Sequence, residues 1–293
     1  MRFFVPVLVP FLITSGAILV GGTFSSCNKK DQESGKSLLK INGSTTVNLA
    51  VAEAAEVLRT KEGMNIQVDT QGGSSGGISM LGEGLVDIGM ASKELKEKDR
   101  KAFPNCDFNP IPIGRDAVAL IVSKDVWEGG VHSISRTEMQ GIYEGKIVNW
   151  KTLGGSDQRI AFFNKEPGRG TWEVFAKWAY GDSKNAPQAS FPEVGGNEET
   201  RNKVSSTRGA LSQLSASWAD GKSIFALALE TDSGETIAAD EETIAKGIYP
   251  MSRPLFLLTD GEPEGQAKLF VDFMLSPEGQ DLVRKHDYLP LAH

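Results

Sequence analysis

Three Gly/Ser/Thr-rich loops stand where a strand ends and a helix is expected to begin. They are Gly43-Ser44-Thr45-Thr46, Gly72-Gly73-Ser74-Ser75-Gly76-Gly77 and Gly168-Arg169-Gly170-Thr171. The first turn of any helix leaves backbone N–H groups without intrahelical partners. The helix dipole adds partial positive charge at the same end. Glycines let the backbone approach a ligand closely, and hydroxyls add donors. One such start can hold an anion, and three converging starts can surround a tetrahedral oxyanion. The third loop also carries Lys165 and Arg169. Arginine suits oxyanions because its planar fork bonds two oxygens at once. The bland alternative at each loop is a Ser or Thr that merely caps its own helix.

Other chemistries find less support. No Gly-x-x-x-x-Gly-Lys-Ser/Thr occurs, and no Gly-x-Gly-x-x-Gly opens a helix, so nucleotide binding is not indicated. Gly72-Gly73-Ser74-Ser75-Gly76 does fit the Gly-x-Ser-x-Gly pattern of a nucleophile elbow. A serine hydrolase built on Ser74 would need a later acid and a later histidine, and His286 stands in the right order. Neither His132 nor His286 has a site signature around it. Two cysteines and three histidines show no metal-ligand spacing, so no metal and no cofactor are expected.

Positioning these loops requires alternating strands and helices, an α/β architecture. Leu38–Ile41 reads as a strand. Val47, Ala50, Val51, Ala54, Val57 and Leu58 then fall at helical spacing, which predicts a helix from about Thr46 to Lys61. Asn65–Thr70 and Val86–Met90 read as further strands. The strongly apolar Asp116–Ser123 predicts a strand buried on both faces. Thr137–Tyr143 reads as a helix, Ile160–Phe163 as a strand and Trp172–Ala179 as a helix. Two helical pieces are predicted from Pro263 to Arg284, with Ser276-Pro277 starting the second.

The N-terminal 26 residues read as a secretory signal peptide. Arg2 is followed by an apolar run to Val20 and then by small residues before Cys27. Pro6 and Pro10 and the short length argue against a spanning helix. Cys27 stands where a bacterial lipoprotein carries its lipid, although Phe24 occupies a position usually held by an aliphatic residue. Residues 27–37 would then form a lipidated cysteine and a polar tether, with membrane contact through the lipid. If Cys27 is unmodified, a bridge to Cys106 is the alternative. The net charge of −7 argues against a nucleic-acid partner. It does not exclude an anionic ligand, because local amide dipoles set the field at a site.

Several long segments together resemble the phosphate-binding proteins of bacterial ABC phosphate importers, the PstS family. They include Ile41–Val47, Gln71–Gly77, Val86–Ser92, Ile142–Trp150, Tyr249–Leu255 and Leu275–Gln280. The resemblance implies a two-lobed periplasmic-binding-protein-like fold with a hinge and an interlobe ligand cleft. One lobe would hold residues 38–114 and 250–293, the other residues 115–249. Chain crossings near Gly114–Asp116 and Tyr249–Arg253 would form the hinge, with Arg115 and Arg253 as hinge candidates or simple salt-bridge residues. The resemblance further implies an extracytoplasmic, non-enzymatic monomer that captures inorganic phosphate for ABC permease subunits, or alternatively a phosphate sensor.

By the same resemblance, ligand contacts fall on Thr45, Thr46, Ser74, Gly170 and Thr171, with Ser44, Ser75, Ser92, Lys93, Lys165 and Arg169 completing the expected set. Three positions depart from the family's best-known form. Lys93 replaces an aspartate, Lys165 an arginine and Arg169 a serine. A carboxylate can accept the proton that phosphate carries and sulfate lacks, whereas a lysine cannot. Rejection of sulfate is therefore expected to be weaker here, unless Glu94 or Asp87 substitutes.

Overall fold

Apolar spacing becomes packing in a regular way along the first helix, where Ala50, Val51, Ala54, Ala55 and Leu58 form the buried stripe. The computed structural model describes residues 37–188 and 190–291. The expected leader, Cys27 and the tether as far as residue 36 lie outside the described residues. In chain order, β1 (Leu39–Gly43) leads to α1 (Asn48–Glu62), β2 (Ile66–Asp69) to α2 (Gly73–Gly82), and β3 (Ile88–Ala91) to α3 (Glu97–Ala102). The long strand β4 (Phe108–Ser123) is followed by α4 (Lys124–Glu128), β5 (Ser133–Ser135) and α5 (Arg136–Tyr143). Next come β6 (Ala161–Lys165), α6 (Gly170–Tyr180), β7 (Glu193–Val194), α7 (Asn197–Ser206) and β8 (Ala210–Ser215). The chain ends with β9 (Ile224–Glu230), β10 (Thr236–Ile237), α8 (Glu241–Ala245), β11 (Ser252–Asp260), α9 (Gly265–Leu275) and α10 (Pro277–Lys285).

The strands line up as β2-β1-β3-β11-β4-β8-β6-β7, with β9 pairing β4, β5 and β10. This gives two lobes that share one strand. The front half of β4 pairs antiparallel with β11, and its back half pairs with β8 and β9. In the first lobe, α1, α9 and α10 cover one sheet face through Val51, Ala54, Phe270 and Val283. Ile78 and Leu81 of α2 cover the other face. In the second lobe, Val118, Leu120 and Val122 face a core with Phe175 and Trp150, while Ala119 and Ile121 face Val204 of α7. All five are fully buried, as the continuous apolar run implied.

The structure extends two of the expected elements. Strand β4 starts at Phe108 rather than Asp116, through Pro110 and Pro112. Proline donates no hydrogen bond and is tolerated at a sheet edge; among the described residues this half of β4 pairs along its length with β11 and has on its other side a single bridge, from Arg115 to Leu289. Helix α6 starts at Gly170, so the Gly168–Thr171 loop runs directly into its first turn.

Candidate functional site

Four helix starts meet between the lobes and wall one small, tightly closed cavity. The turn before α1 contributes Ser44, Thr45 and Thr46. The start of α2 contributes Gly73 and Ser74, and the end of β3 delivers Ser92. From the second lobe, Lys165 stands at the end of β6, with Arg169, Gly170 and Thr171 at the start of α6. The fourth start is α7, whose first residue Asn197 lines the same cavity. Nothing in the sequence reading singled it out. The signal was Gly195-Gly196-Asn197 after a two-residue strand, the same punctuation as in the other loops.

The capping alternative fails here. Helices α2, α6 and α7 have no side-chain cap. Away from the cavity, Ser135, Asp240 and Ser276 do cap α5, α8 and α10. First-turn N–H groups left unpaired are available to an anion; in α2 those of Gly73 and Ser75 already bond the carbonyls of Thr70 and Gly168, which leaves that of Ser74. The turn before α1 differs, because Ser44 Oγ accepts from the N–H groups of Thr46 and Val47 at 3.2 and 3.4 Å.

Hydroxyls around the cavity are tied to one buried cation. Arg253 reaches Thr46 Oγ1 and Thr171 Oγ1, both at 3.1 Å, and Ser92 Oγ at 3.3 Å. Its guanidinium is held by Asp116, through Nε at 3.0 Å and Nη2 at 2.7 Å. Arg253 therefore sits at the chain crossing and also organises the site. Arg169 donates from Nε and Nη2 to Glu166 Oε2 at 2.9 and 2.8 Å. Lys165 donates to the carbonyls of Gly195 and Gly196 at 2.8 and 3.0 Å, and to Thr200 Oγ1 at 2.5 Å. Burial, reinforced by the charges of Arg169 and Arg253, pulls the Lys165 ammonium well below the ordinary lysine range. An anion in the cavity opposes that shift.

Two of the expected contacts do not line this cavity. Lys93 is buried, but its ammonium donates to Ser75 Oγ at 2.9 Å and lies 3.7 Å from Glu173 Oε1. The chain bends at Ser92 and Lys93, just past the end of β3, and while Ser92 faces the cavity Lys93 turns away from it. Ser75 lies one helical position past Ser74 and donates instead to the carbonyl of Gly168 at 2.8 Å. The carboxylates considered as substitutes also lie elsewhere. Asp87 accepts from the backbone N–H of Lys40 at 2.7 Å, and Glu94 lines a separate cavity with Lys93.

Lobe-to-lobe bonds surround the cavity. Asn197 Nδ2 donates to Thr46 Oγ1 at 3.0 Å, and Lys96 reaches both Glu173 and Ser183. Burial raises the Glu173 pKa. The Lys96 hydrogen bond, the Lys93 charge and the Ser183 hydrogen bond together outweigh that and hold it below the usual range. A lowered carboxyl pKa stabilises the fold above the ordinary Glu value of about 4.3, and that contribution is lost as pH falls through the lowered value. Glu173→Gln is accordingly expected to flatten the acid limb of stability. Urea midpoints measured from about pH 6 down to about pH 3 test this, and parallel acid limbs in the two proteins would contradict it.

The hydrolase alternative has no geometry behind it. Ser74 Oγ accepts from the Ser92 N–H at 3.1 Å. His286 pairs with Glu53, and His132 with the carbonyl of Trp127. Neither described histidine contacts Ser74. Cys106 is a free thiol whose pKa is pushed up to about 11 by burial and the Asp260 charge.

A mixed α/β, two-lobed fold with its polar cavity between the lobes defines the class of periplasmic-binding-protein-like receptors. Residues 30–278 match the model of the PBP superfamily domain. The phosphate-binding protein PstS of Bacillus subtilis is 30% identical over 303 residues, covering 97% of this chain and 94% of that one. PstS of Borreliella burgdorferi is 28% identical, covering 90% and 92%. A phosphate ABC transporter substrate-binding protein from Clostridium perfringens, solved with bound phosphate, superposes with a TM-score of 0.76 at 29% identity, covering 87% of this chain and all of that one. The chain belongs to the PstS family of phosphate-binding proteins and is not an enzyme.

Proposed function

We propose that this protein captures inorganic phosphate between its lobes and delivers it to the permease of an ABC importer. The observation that carries the reading is the convergence on one cavity of three helix starts, α2, α6 and α7, that no side chain caps. In this reading Thr46, Ser74 and Thr171 donate hydroxyl hydrogens, the first turns of α2, α6 and α7 donate N–H groups, and Arg169 adds charge. Ser44 and Ser92 brace these donors. Lys165 fastens the 195–197 loop and adds positive field. Lys93 and Ser75 act in lobe closure rather than on the ligand.

Residues 38–114 with 250–293 would move as one lobe and 115–249 as the other, turning about the paired segments at Arg115–Ala117 and Ser252–Pro254. The chain would work as an exported monomer held to the membrane by a lipid on Cys27. No helix among the described residues is long and apolar enough to cross a membrane. Titration calorimetry with phosphate tests the central claim. A saturable one-to-one heat is expected, and the absence of any phosphate heat would overturn it.

A further inference from the structure

Among the described residues, no acidic side chain lines the cavity. A ligand oxygen that carries a proton must therefore donate it to a neutral group. The hydrogen-bond directions decide which hydroxyls can accept it, because a hydroxyl has one hydrogen and two lone pairs. Thr46 Oγ1 accepts from Arg253 Nη2 at 3.1 Å and from Asn197 Nδ2 at 3.0 Å. The Asn197 amide has a fixed sense: turned over, its NH2 would face the Lys165 ammonium at 3.3 Å, which gives its hydrogens to Gly195, Gly196 and Thr200 and has no lone pair to accept another. Both lone pairs of Thr46 are taken, and its hydrogen is left for the cavity.

A second relay reaches Ser74. Ser44 Oγ, already accepting two backbone N–H groups, donates to Ser92 Oγ at 2.8 Å. Ser92 Oγ also accepts from Arg253 Nη1 at 3.3 Å, which leaves its own hydrogen for Ser74 Oγ at 3.3 Å. Ser74 Oγ then accepts from both the hydroxyl and the N–H of Ser92, so its hydrogen too turns to the cavity.

We propose that Arg253 and Asn197 are positioning residues that hold Thr46 and Ser74 as obligate donors, so that the site selects tetrahedral dianions by shape and charge and admits sulfate beside phosphate. The proposal rests on the cavity being the phosphate site. Thr45 and Thr171 keep acceptor capacity, enough for the single proton of the phosphate dianion, and neither carries a charge that repels sulfate. A site built around a specific buried hydrogen-bond partner rejects the analogue lacking the group by on the order of 10⁴-fold. Thr45 and Thr171 are hydroxyls that can turn to donate to sulfate as well as accept from phosphate, so sulfate is expected to bind within about tenfold of phosphate.

Competitive calorimetry with inorganic phosphate and sulfate on the wild type and on Asn197→Asp tests this. One carboxylate oxygen of the variant stays on Lys165. The other takes the Thr46 hydrogen and frees a lone pair toward the cavity. The expected result is that the phosphate-to-sulfate affinity ratio rises by about tenfold or more in Asn197→Asp. Asn197→Ala frees a lone pair of Thr46 without adding charge and should move the ratio the same way by less; thermal melts verify that both variants fold. A merely structural role would weaken both anions equally and leave the ratio unchanged, which overturns the proposal. Wild-type rejection of sulfate by about 1,000-fold with phosphate bound overturns it as well and leaves the phosphate reading intact. A wild type that binds neither anion overturns both.

Discussion

Gly170→Ala is expected to weaken phosphate binding by roughly 5- to 150-fold while leaving the fold intact. A Cβ at Gly170 would stand 2.6 Å from Ser92 Oγ, 2.7 Å from the Ser92 carbonyl and 2.8 Å from Ser74 Oγ. All three atoms belong to the opposite lobe, so the methyl group conflicts with closure and not with the folding of either lobe. The Ser92 carbonyl is backbone and cannot rotate aside. Inserting one methyl group into a tight contact costs about 1–3 kcal/mol, and about 1.4 kcal/mol is a factor of ten in affinity. Calorimetry with phosphate gives the affinity, and a thermal melt of the free protein gives the control. An unchanged affinity would mean that the two lobes do not approach this closely around the ligand.

Asp116→Ala is expected to cost about 3–5 kcal/mol of stability, because it strands a buried guanidinium. Arg253 is 1% exposed, and Asp116 accepts two of its bonds and one from Ser215. The loss exceeds that for any surface pair, such as Lys268 with Asp272, where exposed ions contribute about 0–1 kcal/mol. Urea unfolding followed by circular dichroism measures it. A loss below about 1 kcal/mol would show that water reaches Arg253 and that the pair is not buried in solution. Combining Asp116→Ala with Arg253→Met removes both charges and is expected to recover part of the loss.

Much of the architecture can be read from the sequence because its main signals are local. The stripe of α1, the apolar run in β4 and the Ser276-Pro277 helix start depend on neighbours a few residues away, and each appears where its pattern falls. Elements whose identity depends on distant partners are harder to read. Strand β11 contains Pro254 and becomes a strand by pairing with β3 and β4. The front half of β4, with two prolines, exists because β11 covers it. Helix α7 buries only Asn197, Thr200 and Val204, too few apolar positions for a clear helical period.

The same division runs through the candidate site. Loops before α1, α2 and α6 announce themselves by glycine and hydroxyl content. The direction of a side chain does not. Ser92 and Lys93 are adjacent, yet one faces the cavity and the other faces Glu173. Arg253 reads as a hinge residue from its place in the chain. Its contact with Thr46 spans 207 residues, and no local pattern encodes it.

Strand β11 also governs when the molecule can exist. It fills the space between β3 and β4 in the first sheet, and beyond it Tyr288 donates to the Thr46 carbonyl at 2.8 Å. The earliest strands of the chain therefore wait for nearly its last residues before their sheet is continuous. Pairings this distant in sequence are slow to form. During synthesis the polypeptide stays without its ligand pocket until almost the whole of it has emerged.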